Sequence, residues 1–466
     1  MRLLPILLLF LAGLAGCQRP ATSQRPVHPP VPARDILAPR VDVQIQKMVD
    51  AVDPGRIEAD IETLVSFGTR HSLSDATSDS RGVGAAARWV KSRFAEARAS
   101  SDGRLVARLE DYVAPPGKRV PREWPMQNAV AVLPGTDPAA GTFVVSGHLD
   151  SRALDIMDAE SAAPGANDDA SGVAVALEAC RVMAPHRFRA TIVFAAVTGE
   201  EQGLLGSAAM AKRLASEGAR VEGMFTNDIV GSSVAMNGDT DRHRVRVFSP
   251  GLPFDPALRD LYLSIGGEND GPSRQLARAI RDAAETYVPG FEAMLVFRLD
   301  RYLRGGDHRP FHEAGFPAVR FTEVLEHYRR QHENVRTEND VVYGDTIDHV
   351  DFPYAANVAR VNVAALASLA RAPAAPTDVR LDVRGLANDS RLLWTPAEGV
   401  DYEILARPTD SPIWTEIIPA DRTGDFTVRR SKDHFHLALR AVGPAGHRSR
   451  AVFPMPLKEG DAWPPP

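Results

Sequence analysis

The sequence predicts an α/β fold with a mixed, mostly parallel sheet and helices on both faces, followed by a small C-terminal β-sandwich. Short apolar runs typical of buried strands alternate with amphipathic helical patterns over most of the chain. Candidate metal ligands follow three of these strands in succession. Beyond residue 376 the pattern changes to short alternating strands separated by turn residues, which is typical of a sandwich.

The size and composition of the chain narrow its class. Its 466 residues exceed one ordinary domain, so two domains are expected. An apolar content of 44% and a charged content of 24% are typical of a soluble globular protein. The formal net charge of −6 is small and no basic run is present, so we expect no nucleic-acid partner. The sequence does not indicate an oligomeric state.

Residues 1–17 are typical of an export signal. One positive residue precedes an apolar run too short to span a membrane as a helix, and small residues follow it. The ending Leu14-Ala15-Gly16-Cys17 resembles the bacterial lipobox. The resemblance implies a signal peptide removed before Cys17, a lipid anchor on its sulfur, and a periplasmic or cell-surface location; an ordinary signal peptide is the alternative. Residues 18–40 are proline-rich and are expected to be a disordered tether.

The domain expected over residues 41–371 contains the alternating helices and strands. The helical patterns begin where Val43, Ile45 and Met48 recur at helix spacing. The uninterrupted apolar run 190–197 predicts a central strand covered on both faces. Residues 238–271 are interpreted as loop-rich. Helices are expected over 43–64, 82–97, 171–183, 204–217, 273–286 and 354–371, and strands over 128–133, 142–146, 190–197, 221–226 and 317–322.

The linker 372–376 is rich in proline and alanine and separates this domain from residues 377–466. The layout of Leu393-Trp394, Tyr402-Glu-Ile-Leu405 and Arg440-Ala-Val442 resembles a fibronectin type III domain. Its strands are expected over 379–383, 390–394, 402–405, 426–428 and 436–442.

Side chains that can bind a metal follow consecutive strands. His148 and Asp150 come after the first, Glu200 and Glu201 after the second, and Asp228 after the third. Ligands of open α/β sheets bind at the carboxyl ends of the strands, so we expect these side chains to share one edge. An acidic residue after one strand is routine, usually as a helix N-cap, whereas three in succession indicate a metal site.

Asp168 lies in the small-residue turn Gly165–Gly172 between two of these strands, where the backbone can bend tightly beneath a carboxylate. Carboxylates packed this closely would repel one another without cations. Two zinc ions can share a bridging carboxylate, and the available ligands are His148, Asp168, Glu201, Asp228 and one further histidine. The adjacent glutamates Glu200 and Glu201 suggest two different roles, in which one binds metal and the other accepts a proton.

Five motifs together resemble the co-catalytic dinuclear zinc exopeptidase family, which includes secreted bacterial aminopeptidases, glutamate carboxypeptidases and glutaminyl cyclases. The motifs are Gly147-His-Leu-Asp150, Gly165-Ala-Asn-Asp-Asp-Ala-Ser-Gly172, Thr198-Gly-Glu-Glu201, Asn227-Asp228 and Gly306-Asp-His-Arg-Pro-Phe311.

The resemblance, which runs from about Asp42 to Arg371, implies a role for each motif residue. His148, Asp168 and Asp228 would hold one zinc ion, and Asp168, Glu201 and a late histidine the other. Glu200 would be the general base, and Asp150 would support a ligand histidine. The Asp168–Asp169 peptide is often cis in the family.

The late histidine is expected to be His332, with His327 as the alternative. The family commonly shows His-Thr-x-x-Asp at this place, whereas this chain has Gln331-His332-Glu333-Asn334. Asp307 and His308 match the Asp-His loop of the family and are expected to line the substrate pocket.

The expected function is removal of N-terminal residues from peptide substrates by a zinc-bridging hydroxide, with Glu200 as the base. A carboxypeptidase or a glutaminyl cyclase remains the alternative, because Arg298, Arg301, Arg304 and Arg309 crowd one region and could bind a terminal carboxylate. A third possibility is a non-catalytic surface-binding lipoprotein. The retained Glu200 argues against it, since a purely structural zinc site needs no base.

Overall fold

The computed structural model of the chain describes residues 41–463. The export signal, the lipid-bearing Cys17 and the tether of residues 18–40 lie outside the described residues and stay predictions. Among residues 41–463, no helix is both long and apolar enough to cross a membrane.

An eight-stranded mixed sheet forms the centre of residues 41–371. Its strands are β1 (Val106–Ala114), β2 (Trp124–Leu133), β3 (Thr142–His148), β4 (Thr191–Val197), β5 (Val221–Asn227), β6 (Arg244–Phe248), β7 (Glu292–Val296) and β8 (Ala318–Glu323). The helices are α1 (Val43–Asp50), α2 (Pro54–Ser66), α3 (Gly82–Ser100), α4 (Ser171–Met183), α5 (Leu205–Ser216), α6 (Pro256–Ser264), α7 (Pro272–Tyr287), α8 (His308–Glu313) and α9 (Phe352–Arg371).

The strand order is β1-β2-β4-β3-β5-β8-β6-β7. The four central strands β4, β3, β5 and β8 run parallel to one another. On one side β2 pairs antiparallel with β4, and on the other β6 pairs antiparallel with β8 and parallel with β7. A two-stranded ribbon of β9 (Arg336–Glu338) and β10 (Val341–Tyr343) lies outside this sheet. The predicted α/β fold is therefore confirmed.

The central strands are covered on both faces. In β3, Phe143 and Val145 contribute to the apolar cluster formed with α4 and α9, whereas Val144 contributes to the cluster formed with α5 and α8. In β4, Phe194 and Ala195 divide between the same two clusters. This alternation is the period of two that a strand imposes on its side chains, and it explains why these strands are continuously apolar.

Two parts of this domain differ from the sequence expectation. The single helix expected over 43–64 is two helices, because the chain turns at Ala51–Asp53 and Asp53 caps α2 immediately before Pro54. The sheet also extends further than expected. Strands β1, β6 and β7 were not predicted, and residues 238–271 hold β6 and α6 rather than loop alone.

The C-terminal residues form two small sheets packed against each other. One has the order β15-β12-β11-β17 and the other β14-β13-β16. Trp394, Tyr402, Ile404 and Leu439 share the apolar core between them. The strands are β11 (Thr377–Asp382), β12 (Ser390–Thr395), β13 (Asp401–Pro408), β14 (Glu416–Ala420), β15 (Asp425–Val428), β16 (Phe435–Val442) and β17 (Met455–Leu457). The sequence did not predict β14 or β17. The fibronectin type III assignment and the boundary at 372–376 stay predictions.

A buried ion pair joins these sheets to the first domain. Arg407 of β13 donates to Asp270 at 2.6 Å, and both side chains are almost fully buried. Arg278 of α7 lies 3.4 Å from the same carboxylate and donates to the carbonyl of Pro412 at 2.8 Å. Residues 41–371 and the C-terminal sheets therefore share a buried, charged interface.

Replacing Arg407 with methionine is expected to destabilise the protein by about 3 kcal/mol, because removing one partner leaves a buried carboxylate undercompensated. Chemical denaturation of the purified chain measures this. The matched control is Arg422→Met, which removes an exposed pair with Asp401 in the same domain and is expected to leave stability unchanged. Equal stability of the parent and the Arg407 variant would contradict an energetic role for this interface.

Candidate metal centre and active site

His148 is the last residue of β3 and is 1% exposed. Its Nδ1–H donates to the main-chain carbonyl of Asp150 at 3.0 Å, which leaves Nε2 without a proton of its own in the neutral ring. Nε2 lies 3.0 Å from Oδ1 of Asp168 and 3.7 Å from Oδ1 of Asp228. The ring is thus oriented as a metal ligand, with its nitrogen lone pair facing two carboxylates.

Asp168 reaches this point because strand, turn and helix approach closely. A Cβ on Gly147 would collide with the backbone of Gly172, and a Cβ on Gly172 would collide with the carbonyl of Asn227. Only glycine allows β3, α4 and β5 to converge in this way. The Asp168–Asp169 peptide is cis, as the resemblance implied.

Asp169 and Asp345 hold the turn in place. Asp169 accepts hydrogen bonds from the amides of His148 at 2.8 Å and Gly172 at 3.0 Å. Asp345 accepts from the amides of Asn167 and Asp168, the latter at 2.6 Å. Burial raises the pKa of Asp345 to about 6, although these amides act in the opposite direction. Asp345 could not be recognised from the sequence, because its partners are backbone amides far away in the chain.

The carboxylate of Asp150 supports the loop after β4. Its carboxylate accepts hydrogen bonds from the amides of Gly199 at 2.8 Å, Glu200 at 3.2 Å and Glu201 at 3.0 Å. Ser72 donates to it as well, at 2.9 Å. The carboxylate is 3.9 Å from Nδ1 of His148, so it supports that ring only through its own main-chain carbonyl. Asp150 therefore contacts His148 mainly through its main chain, and its expected role in supporting a ligand histidine stays a prediction.

His332 completes a second cluster. Its Nε2 lies 2.7 Å from Oε1 of Glu201 and 3.0 Å from Oδ2 of Asp168. Asp168 therefore belongs to two groups of three ligand atoms, one with His148 and Asp228 and one with Glu201 and His332. The structure brings together all five side chains that the sequence proposed. His327 is in neither group and lines a separate small cavity with Glu323.

Nitrogen and carboxylate donors in this arrangement fit zinc. Asp168 has one oxygen facing each histidine, which suits a carboxylate bridging two ions. Its Oδ1 is buried and accepts no hydrogen bond from a described residue. Buried carboxylate oxygens are normally paired, so an oxygen in this position fits a metal cation as its partner.

The histidine pKa values also reflect the excess of carboxylates. Burial acts to lower the pKa of His332, but Glu201 and Asp168 outweigh it and raise that pKa to about 10. Burial also acts to lower the pKa of His148. The carboxylates of Asp169, Asp168 and Asp228 outweigh it and raise that pKa well above its usual value. In the absence of metal, the surrounding carboxylates therefore favour the protonated form of both rings.

Asp228 has a cationic partner that the sequence analysis missed. Arg320 of β8 is fully buried and lies 2.9 Å from Oδ1 of Asp228. The same guanidinium lies 3.1 Å from Asp300 and donates to the carbonyl of Gly305 at 2.7 Å. It thereby connects a candidate ligand to the loop 298–305, which forms one wall of the cleft.

Glu200 faces the cleft beside both clusters. Its carboxylate forms no hydrogen bond with another described residue, whereas its amide is held by Asp150. Burial raises the pKa of this carboxyl well above its usual value; His148 opposes the shift, and Asp228 and Glu201 add to it. A carboxylate that is positioned through its backbone and is free at its oxygens can accept a proton.

Asp307 and His308 do not line the cleft, so their assignment to the substrate pocket was wrong. Both are buried: Asp307 accepts a hydrogen bond from Ser207 at 2.5 Å, and burial raises its pKa to about 7. His308 donates from Nε2 to the carbonyl of Leu299 at 2.6 Å. His308 therefore supports the loop 298–305, whereas Asp307 is held by Ser207 of α5.

The cleft above the metal cluster has a volume of about 1000 Å³. Asp168, Glu200, Glu201, Asp228 and His332 lie at one end. Arginine is the commonest residue around the rest: Arg119, Arg152, Arg298, Arg301, Arg304 and Arg309. A short peptide fits such a space.

Comparisons with known proteins agree with this geometry. The model of peptidase family M28 matches residues 128–367. A probable zinc metalloprotease of Leptosphaeria maculans is 43% identical over 426 residues, covering 90% of this chain and 99% of that protein. A probable zinc metalloprotease of Pyricularia oryzae is 43% identical over 440 residues, covering 92% and 88%.

A solved structure shares the fold. The LapA aminopeptidase of Legionella pneumophila has a TM-score of 0.51 at 20% identity, covering 71% of this chain and 75% of that chain. The region matched by the family model contains both candidate metal clusters. The chain therefore belongs to peptidase family M28 and is a hydrolase.

Proposed function

We propose that this protein is a zinc-dependent aminopeptidase that removes N-terminal residues from short peptides. The observation that carries the proposal is the pair of histidine–carboxylate clusters that share Asp168, with the free carboxylate of Glu200 beside them. The relatives named as probable zinc metalloproteases support zinc as the metal. The aminopeptidase assignment follows from the motif resemblance.

His148, Asp168 and Asp228 would hold one ion, and Asp168, Glu201 and His332 the other. When bound, such a pair lowers the pKa of a water molecule and polarises the substrate carbonyl. Glu200 accepts the proton of the water that attacks the first peptide carbonyl. It then passes this proton to the amide nitrogen, so that the C–N bond breaks and the departing peptide leaves as a neutral amine.

Asp150 is a positioning residue in this mechanism. Its carboxylate holds the amides of Gly199, Glu200 and Glu201 together, so the base and the neighbouring ligand keep a constant separation. Arg320 positions Asp228 in the same sense from the other side. Asp150 and Arg320 thereby limit the motion of the base and of the ligand carboxylates, which keeps them in the positions that the reaction needs.

The test of the proposed function is hydrolysis of matched peptides with either the amino or the carboxyl end blocked. An aminopeptidase cleaves the carboxyl-blocked peptide and leaves the amino-blocked peptide intact. A carboxypeptidase shows the reverse, and the arginines of the cleft are the specific observation that favours this second candidate. A glutaminyl cyclase would release ammonia from an N-terminal glutamine, or water from an N-terminal glutamate, without cleaving the peptide.

Zinc binding is expected to release protons and to strengthen as the pH rises. Zinc requires neutral imidazole, whereas His332, with a pKa raised to about 10, stays protonated in the metal-free protein at pH 8. Raising the pH toward that value removes the competing proton. Calorimetric zinc titrations in two buffers of different ionisation enthalpy measure the release, and a heat that does not depend on the buffer would contradict it.

A further inference from the structure

The loop 298–305 after β7 forms a cationic wall facing the metal cluster. Arg298, Arg301 and Arg304 all line the cleft from this loop. Arg119 and Arg309 line it from two other segments. No lysine lines the cleft, so the cations are guanidinium groups, whose planar donors match carboxylate oxygens.

Part of this positive charge is compensated within the protein. Arg301 and Arg304 lie 2.9 and 3.2 Å from Glu326. Arg246 also lies 2.7 Å from that carboxylate, so three arginines share it. Arg309 pairs with Glu313 at 2.7 Å. Arg301 also lies 3.2 Å from Asp300, which Arg320 shares, and Arg152 lies 3.9 Å from Glu201. Around Glu326 and Asp300, arginines therefore outnumber carboxylates.

Two other arginines have no acidic partner among residues 41–463. Arg298 is exposed, and its guanidinium stacks on the ring of Tyr302 at 5.1 Å. Arg119 is exposed and donates to the main-chain carbonyl of Glu201 at 2.7 Å, which places its guanidinium next to the candidate metal cluster. Both keep donors available for a ligand.

The acidic end of the cleft does not cancel this charge once metal is bound. Two zinc ions would carry as much positive charge as the carboxylates of Asp168, Glu200, Glu201 and Asp228 carry negative charge. The fifth carboxylate of the cleft, Asp300, is paired with Arg301 and Arg320. The unpaired arginines then determine the sign of the potential that a substrate meets.

The wall is formed before any substrate arrives. Arg320 donates to the carbonyl of Gly305, and His308 donates to that of Leu299. Phe297, at the start of the loop, lies against the guanidinium groups of Arg274 and Arg278, at 4.3 and 5.2 Å from its ring. Little conformational entropy is lost when such a preformed wall binds a ligand.

We propose that this site selects peptides that carry a carboxylate within about two residues of the cleaved bond, and that Arg298 and Arg119 bind that carboxylate. The carboxylate belongs to an acidic side chain or to the C-terminus of a di- or tripeptide. This inference rests on the proposed function and adds the substrate class to it.

The test compares peptides that differ by one charge. Three pairs are used: glutamyl against glutaminyl at the second position, free acid against amide at the C-terminus, and glutamyl against glutaminyl at the N-terminus. For at least one pair, kcat/KM of the parent enzyme is expected to be about tenfold higher for the acid, and added salt is expected to reduce this ratio. The pair that responds identifies which carboxylate is bound.

Arg298→Ala and Arg119→Ala, singly and combined, are expected to reduce the acid-to-neutral ratio toward one. The matched control is Arg187→Ala, an exposed arginine outside the cleft, which is expected to keep the parental ratio. A parental ratio near one for all three pairs would overturn the proposal, as would arginine variants that lose acidic and neutral substrates equally.

A binding measurement separates this inference from the proposed function. Calorimetry with zinc-loaded Glu200→Gln protein compares leucyl-glutamate with leucyl-glutamine. Preference for the acidic dipeptide, lost in the arginine variants, supports the site even if no peptide is hydrolysed. Hydrolysis without any preference in rate or binding overturns the inference alone and leaves the aminopeptidase assignment standing.

Discussion

Replacing Glu200 with glutamine is expected to lower kcat by about 10²–10⁴-fold without removing the metal. The amide keeps the size of the side chain but cannot accept the proton of the attacking water. Its backbone is still held by Asp150, so the geometry of Glu201 is retained. Steady-state hydrolysis of aminoacyl anilides and zinc content per chain, measured on the same preparation, test both parts.

Two variants provide the controls for this experiment. Glu201→Gln alters a candidate ligand next in sequence and is expected to lose zinc as well as activity. Glu217→Gln, at the exposed end of α5, removes the same charge far from the cleft and is expected to keep parental kinetics. If Glu200→Gln hydrolysed the anilides at the parental rate, the role of Glu200 as the base would be wrong.

Asp168→Asn is expected to lose both zinc ions, whereas His332→Ala is expected to keep one. Asp168 is the one residue common to both clusters, and an amide oxygen is a poor bridging ligand. His332 belongs to one cluster, so His148, Asp168 and Asp228 still form the other. The zinc content per chain after dialysis is therefore expected to fall from two to none in Asp168→Asn and from two to one in His332→Ala.

His327→Ala is the matched control for the late histidine, since it removes an imidazole five positions away that lies in neither cluster. It is expected to keep both ions. Loss of zinc in His327→Ala together with retention in His332→Ala would reverse the ligand assignment. Circular dichroism of each variant shows whether a loss of metal reflects a loss of fold instead.

The core of the fold could be predicted because its signals are local. Strands β3 and β4 contain apolar runs, β5 is buried along its whole length, and each of the three ends next to residues suited to metal binding. The strands that were missed lie toward the edges of the sheet. β1 alternates between exposed and partly buried residues, and β6 has arginines at alternate positions, so neither shows a continuous apolar run.

The ligand set could be predicted because it depends on chemical identity and on strand ends. His148, Glu201 and Asp228 each carry a metal-binding group where parallel strands end together, and Asp168 carries one in the small-residue turn before α4. His332 was harder, because no strand ends directly before it and it lies in a turn with a positive φ of 55°. The choice over His327 rested on the motif alone, and the distances to Glu201 and Asp168 support it.

The sequence alone determined the fold class and which side chains could bind metal, because apolar periodicity and side-chain chemistry are properties of single segments. Only the tertiary structure decided that Asp150 holds backbone amides, that Asp307 is buried outside the cleft and that Arg320 binds Asp228. Each of these depends on how segments far apart in the chain approach one another: Asp345, for example, binds an amide 177 positions away. Such contacts leave no periodic signal, since the partner is often a backbone group that every residue has.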